Sequence, residues 1–161
     1  MSRISVGRPD GTLTDTGPLF ALVDPQGQPD QFTRCTVLLA VLDAPLVTTW
    51  PCLAEAMHLT GREDGWGMQQ FIAEYIATEV LRLHTPTSLE TARVLQLMEQ
   101  YADRPMDLAD ASLVALAEAE GYTRIFSIDE DFYIYRLADG TALEVLPGPM
   151  TPERGRRQTR R

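Results

Sequence analysis

Short β-prone runs separated by stretches of helical periodicity are the feature that most limits what this chain can fold into. The runs are Gly11 to Thr14, Leu46 to Thr48, Val80 to Leu83 and Arg124 to Ile128, each too short for a helix of ordinary length. Between them, Pro18 with Leu19, Phe20, Leu22 and Val23 reads as a helix start, because proline is tolerated in a first turn. Helical patterns follow at Phe32 to Leu42, Pro51 to Leu59, Trp66 to Ala77, a long stretch beginning near Ser88, and Leu108 to Glu120 ahead of Gly121. Strands separated by helices predict an α/β fold, a mostly parallel sheet with helices on its faces. Phe132 to Leu137 and Ala142 to Leu146 flank Asp139-Gly140, a hairpin signal that places an antiparallel pair at the C-terminal edge of the sheet.

In open sheets of this kind ligands sit beyond the carboxyl ends of the strands, so the residues just after each strand matter most. Four acids fall there. Asp15 follows the first run, Glu55 lies one turn into the helix after the second, Asp110 opens the Ala-rich helix, and Asp129 ends the run from Arg124. Asp107 suits the N-cap of the Ala-rich helix, which leaves Asp110 at its third position pointing inward. Asp131 is two residues beyond Asp129, and a period-two strand puts both on one side, so it can assist. Convergent carboxylates suit a hard divalent ion such as Mg2+ or Mn2+, which takes oxygen ligands. The plainer reading of each acid is a helix cap or a solvated surface charge.

Charge sharpens the question. All 14 basic residues of the 161 are Arg, and the formal net charge is −9. Five of those Arg lie in the tail from Thr151 beside a single Glu, so the tail carries +4 and the body −13. Phosphate contacts normally come from Lys and Arg, so such a body repels nucleic acid unless a metal intervenes. Cys35 and Cys52 form no CxxC or Cys/His cluster, which removes a zinc framework and leaves two buried thiols as the expectation. No apolar run approaches the roughly 18 residues of a membrane span, and residues 1 to 20 lack a signal-peptide pattern, which points to the cytoplasm.

The stretches Thr14-Asp15-Thr16-Gly17-Pro18-Leu19, Trp50-Pro51-Cys52-Leu53-Ala54-Glu55-Ala56, Ala109-Asp110-Ala111-Ser112-Leu113-Val114-Ala115 and Ser127-Ile128-Asp129-Glu130-Asp131-Phe132 resemble, in order and spacing, the PIN domain. Within that family the likeness is greatest to the VapC-type toxins of bacterial toxin–antitoxin systems, over residues 12 to 147. The resemblance implies a three-layer α/β fold and a metal-dependent endoribonuclease held in check by a small antitoxin. It makes Asp15, Glu55, Asp110 and Asp129 the acidic quartet, with Asp15 and Asp110 as chief ligands of Mg2+ or Mn2+. Thr16 takes the place of a Ser or Thr that hydrogen-bonds the site, with Asp107 and Asp131 in support. Glu55 and Asp129 can ligate a second ion or orient the attacking water, and both roles stay open. A homodimer and an RNA substrate are implied as well. The chain then divides into an N-terminal extension (1–11), a nuclease domain (12–148) and an Arg-rich tail (149–161) expected to be disordered.

Three other features give weaker signals. Asp10-Gly11-Thr12-Leu13-Thr14-Asp15 matches the end of the haloacid dehalogenase-like signature, but Arg8 stands where that family has its nucleophile, and the chain has no Lys. His58 and His84 are too isolated to be ligands, and the Trp66 to Ile76 stripe, on helical spacing, is expected in the core or at a dimer contact. The rival from another class is a PIN-like binding module without catalysis, which the presence of all four acids disfavours.

Overall fold

Alternating side chains on the strands dictate two cores, one on each face of a sheet. In the computed structural model, which describes residues 9–42, 44–104 and 106–148, the strands are β1 (Thr12–Thr14), β2 (Leu46–Thr49), β3 (Leu81–His84), β4 (Arg124–Phe126) and β5 (Glu144–Leu146). Ile125 and Phe126 are consecutive, both fully buried, and enter opposite cores; Val47 and Leu46 divide in the same way. The first core joins Leu13, Val47, Ile125 and Val145 to helices α5 (Ser88–Gln100) and α6 (Leu108–Glu120). The second joins Leu46, Leu81 and Phe126 to α1 (Thr16–Ala21), α2 (Pro29–Val41), α3 (Trp50–Asp64) and α4 (Trp66–Ala77). Each fully buried large side chain, Phe126 and Phe132 among them, contributes about 1.5–3 kcal/mol by leaving water.

The sheet runs β3-β2-β1-β4-β5 with every pairing parallel. The chain order reverses direction across the sheet at β1, between β2 and β4, and a crevice opens there at the carboxyl ends. Local sequence sets several of the helix starts, those of α1 and α6 at the border of the crevice. Asp15 caps α1, Asp107 caps α6, and Thr87 with Glu90 forms a complete capping box on α5. Gly121, at φ 80, closes α6 in the left-handed conformation.

The C-terminal edge corrects the hairpin expectation. Asp139-Gly140 does turn the chain: Gly140 has φ 84, and the Leu137 amide donates to the Thr141 carbonyl at 2.8 Å. The limb before it is not a strand. Glu130–Tyr133 forms a 3-10 turn, Phe132 and Tyr135 are drawn into the core, and the Arg136 guanidinium donates to the carbonyls of Tyr133, Ile134 and Tyr135. Side-chain burial and that clamp take up the groups a strand ladder needs. β5 instead pairs parallel to β4, with Ile125 opposite Val145. The α4 stripe also departs from a core stripe: Ile72 is buried, whereas Trp66 and Phe71 are exposed. Cys35 and Cys52 are buried free thiols. No helix among the described residues is long and apolar enough to cross a membrane. The Arg-rich tail and most of the N-terminal extension lie outside the described residues.

Candidate metal centre

Asp15 is the first residue past β1, and its amide continues the ladder to the Phe126 carbonyl at 3.0 Å. That bond fixes the backbone from which the side chain projects, and both carboxylate oxygens are held. The Thr16 amide donates to Oδ1 at 2.7 Å as the cap of α1, and the Ser127 hydroxyl donates to Oδ2 at 3.1 Å from the end of β4. Only 7% of the residue is exposed. Burial pushes its carboxyl up to about 6 against the lowering effect of the two donors, and Asp129 and Asp107 add repulsion.

Asp110 occupies the third position of α6, where its amide donates to the Asp107 cap at 2.8 Å. The residue is buried, and the Tyr135 hydroxyl donates to Oδ2 at 2.9 Å. Burial first, then Asp107 and Asp15, push this carboxyl up to about 7, with the Tyr135 bond opposing. Burial and the same carboxylate raise the Tyr135 phenol well above its ordinary range.

The remaining acids stand at the rim. Glu55 is exposed on α3 and accepts from the buried Thr16 hydroxyl at 3.0 Å, so Thr16 ties the start of α1 to the α3 acid. Asp129 caps the 3-10 turn, its amide donating to Ser127 Oγ and its Oδ1 accepting from the Asp131 amide, both at 3.0 Å. Slight burial and the charges of Asp129 and Asp107 raise the carboxyl of Asp131. Gly17 keeps α1 close to this segment, because a Cβ there would come within 2.7 Å of Ile128 Cγ1.

Asp15, Thr16, Glu55, Asp107, Asp110, Asp129 and Asp131 thus border one open cleft of about 710 Å3, with Glu130 as a seventh acid and, among the described residues, no Arg or His in the lining. Within it, Asp110, Asp129 and Asp131 bring one carboxylate oxygen each to within 4.8 Å of one another. This trio contains Asp131, read from sequence as an assistant, and leaves Asp15 and Glu55 on the flank. Asp131 owes its position to the 3-10 turn capped by Asp129 rather than to strand alternation. Sequence patterning does not mark Ser127 or Tyr135 as a site residue. Ser127 sits directly after β4, a position the strand-end rule covers; Tyr135 carried no signal, because its segment read as a strand.

The donor set is all oxygen, and two of its members are buried carboxylates that no cation among the described residues offsets. Such a group suits a divalent ion, which would relieve both the burial and the mutual repulsion that raise Asp15 and Asp110.

No protein-family model matches the chain, and no curated protein matches it. Solved structures do. The chain is similar to the crystal structure of Mycobacterium tuberculosis VapC20, a sarcin-ricin loop cleaving toxin, at 20% identity and TM-score 0.69, over 76% of this chain and 93% of that one. A toxin–antitoxin complex from Klebsiella pneumoniae matches at 16% identity and TM-score 0.56, over 75% and 89% of the two chains. VapBC2 from Rickettsia felis, bound to a DNA fragment from its promoter, matches at 11% identity and TM-score 0.57, over 84% and 96%. Likeness at these identities is likeness of fold, and the fold of this chain is the PIN-like α/β fold of the VapC toxins.

Proposed function

We propose that the chain is a metal-dependent endoribonuclease acting as the toxin of a toxin–antitoxin pair in the cytoplasm, with residues 12–148 as its nuclease unit. The observation that carries this reading is the cleft itself: seven carboxylates and, among the described residues, no cationic side chain, at the strand-order reversal of a VapC-like sheet. Asp15, Asp110, Asp129 and Glu55 would hold Mg2+ or Mn2+, with Asp131 beside them. A bound divalent ion supplies charge neutralisation at a phosphate and lowers the pKa of a bound water.

The protein's own groups keep the acids ready for that ion. Ser127 and the Thr16 amide lock the Asp15 carboxylate, Tyr135 orients that of Asp110, and Thr16 fixes Glu55. A cleft built for a cation also attracts guanidinium, which can bridge two carboxylates. A small antitoxin presenting Arg to Asp15 and Asp110, and a homodimeric toxin, complete the proposal.

Purified, partner-free protein incubated with RNA tests it. Cleavage that requires Mg2+ or Mn2+ and stops on chelation is the expected result. Absence of cleavage across RNA classes with Mn2+ present would overturn the reading in favour of a binding module.

A further inference from the structure

A second cavity, of about 170 Å3, lies beside the acidic cleft and shares Ile128, Asp129 and Glu130 with it. These three residues form a wall between the two. The cleft spans the ends of β1 and β4, and the second cavity spans the ends of β4 and β5, where Pro147 lines it. Arg34 from α2 and Tyr133 from the 3-10 turn also line it.

Arg34 is half-buried, and among the described residues its guanidinium forms no ion pair, although Asp129 and Glu130 line the same cavity. Four of the six other described arginines are placed differently. Arg93 is bound in a fork to Glu118, Arg136 is spent on backbone carbonyls, and Arg82 and Arg124 line cavities that share no residue with the cleft. Tyr133 exposes 41% of its surface, and its turn is held by the Arg136 clamp on the carbonyls of residues 133 to 135. An unpaired guanidinium and an open aromatic ring in one small cavity match the two faces of a nucleotide. The guanidinium takes phosphate and the ring takes a stacked base.

We propose that Arg34 and Tyr133 form a binding subsite for a nucleotide flanking the scissile bond, so that single-stranded RNA crosses the Ile128 to Glu130 wall with one phosphate at the acids and a neighbouring one at Arg34. This rests on the nuclease reading above and adds the means by which an acidic body holds its polyanion.

The test uses full-length Asp110→Asn protein, in which cleavage is expected to be lost, and a short fluorescent single-stranded RNA of mixed sequence in Mg2+ across a salt series. Arg34→Ala should weaken binding about tenfold and lower the salt slope by about 0.7, the contribution of one phosphate contact to a single strand. Arg34→Lys should recover most of the affinity. Tyr133→Ala should weaken binding about fivefold or more with an unchanged salt slope, and Tyr133→Phe should restore it, because stacking needs the ring and not the hydroxyl. In the cleaving protein the two Ala variants should raise KM and leave kcat nearly intact. Thermal melting of the Lys and Phe variants controls for folding.

Unchanged RNA binding in both Ala variants overturns the subsite. So does a fall in kcat at unchanged RNA binding, which would make Arg34 a regulator of Asp129 and Glu130, or a loss confined to antitoxin binding, which would make the cavity a protein-docking site. Failure of the nuclease reading is distinguishable: the parent protein itself then neither cuts nor holds RNA, and the subsite falls with it.

Discussion

The Tyr135 hydroxyl donates to Asp110 Oδ2 at 2.9 Å inside the fold, and it is the one side-chain donor recorded on that carboxylate among the described residues. The ring is fixed edge-on against Tyr101 and Phe132 at 5.2 and 5.4 Å, so the bond is aimed by aromatic packing. Tyr135→Phe keeps the rings and deletes the donor. Stability should fall by about 1–3 kcal/mol, the cost of leaving a buried acceptor unsatisfied. Without the lowering influence of the hydroxyl, Asp110 should hold its proton to higher pH, and the acid limb of the rate profile should move upward. A pH–rate series on the two proteins measures it.

Asp15→Asn and Asp110→Asn should each abolish cleavage and leave the fold intact. Asparagine is nearly isosteric and removes one of the repelling charges in the buried pair. Melting without metal at neutral pH should therefore show the variants at least as stable as the parent. Asp10→Asn, outside the cleft, should leave cleavage unchanged. Wild-type cleavage by either buried-acid variant under saturating Mg2+ would refute the assignment.

The two buried acids also set a pH dependence. Their folded-state values, about 6 and about 7, lie above the ordinary carboxylate value of 3.8. Between pH 4 and 7 the folded state therefore binds more protons than the unfolded one, and stability falls as pH rises. This loss is on the order of a few kcal/mol for the pair. Chemical denaturation of metal-free protein should show parent and Asp110→Asn similar near pH 4, with the parent weaker at pH 7.

Divalent metal should reverse that weakness. A ligand bound only by the folded state stabilises by about 2.7 kcal/mol at a hundredfold excess over its dissociation constant. Mn2+ at pH 7 should raise the melting temperature of the parent and leave Asp110→Asn nearly unmoved. Equal shifts in both would assign the effect to the acidic surface at large.

What could be read ahead of the structure followed from short-range rules. Trp66–Ala77 and Leu108–Glu120 begin and end where periodicity and the Gly121 stop put them, and Asp107 caps Asp110 as the spacing implied. The direction of β5 was hidden, because the Asp139-Gly140 turn is real while the burial of Phe132 and Tyr135 that cancels its hairpin depends on partners elsewhere in the fold. The parts of the site that stayed invisible are those made by remote pairs. Ser127 reaches Asp15 across 112 positions, and no local pattern encodes such a contact.

That separation has a consequence for the order in which the chain is made. β1, with Asp15 at its end, lies between β2 and β4, yet β4 is synthesised only after β2, β3 and helices α1 to α6. A nascent or prematurely terminated product that stops short of β4 has no Ser127, Asp129, Asp131 or Tyr135, and its Asp15 lacks the strand that supplies its amide's partner. The acid cleft comes into being only once synthesis has passed Tyr135, so products that stop short of β4 do not carry it.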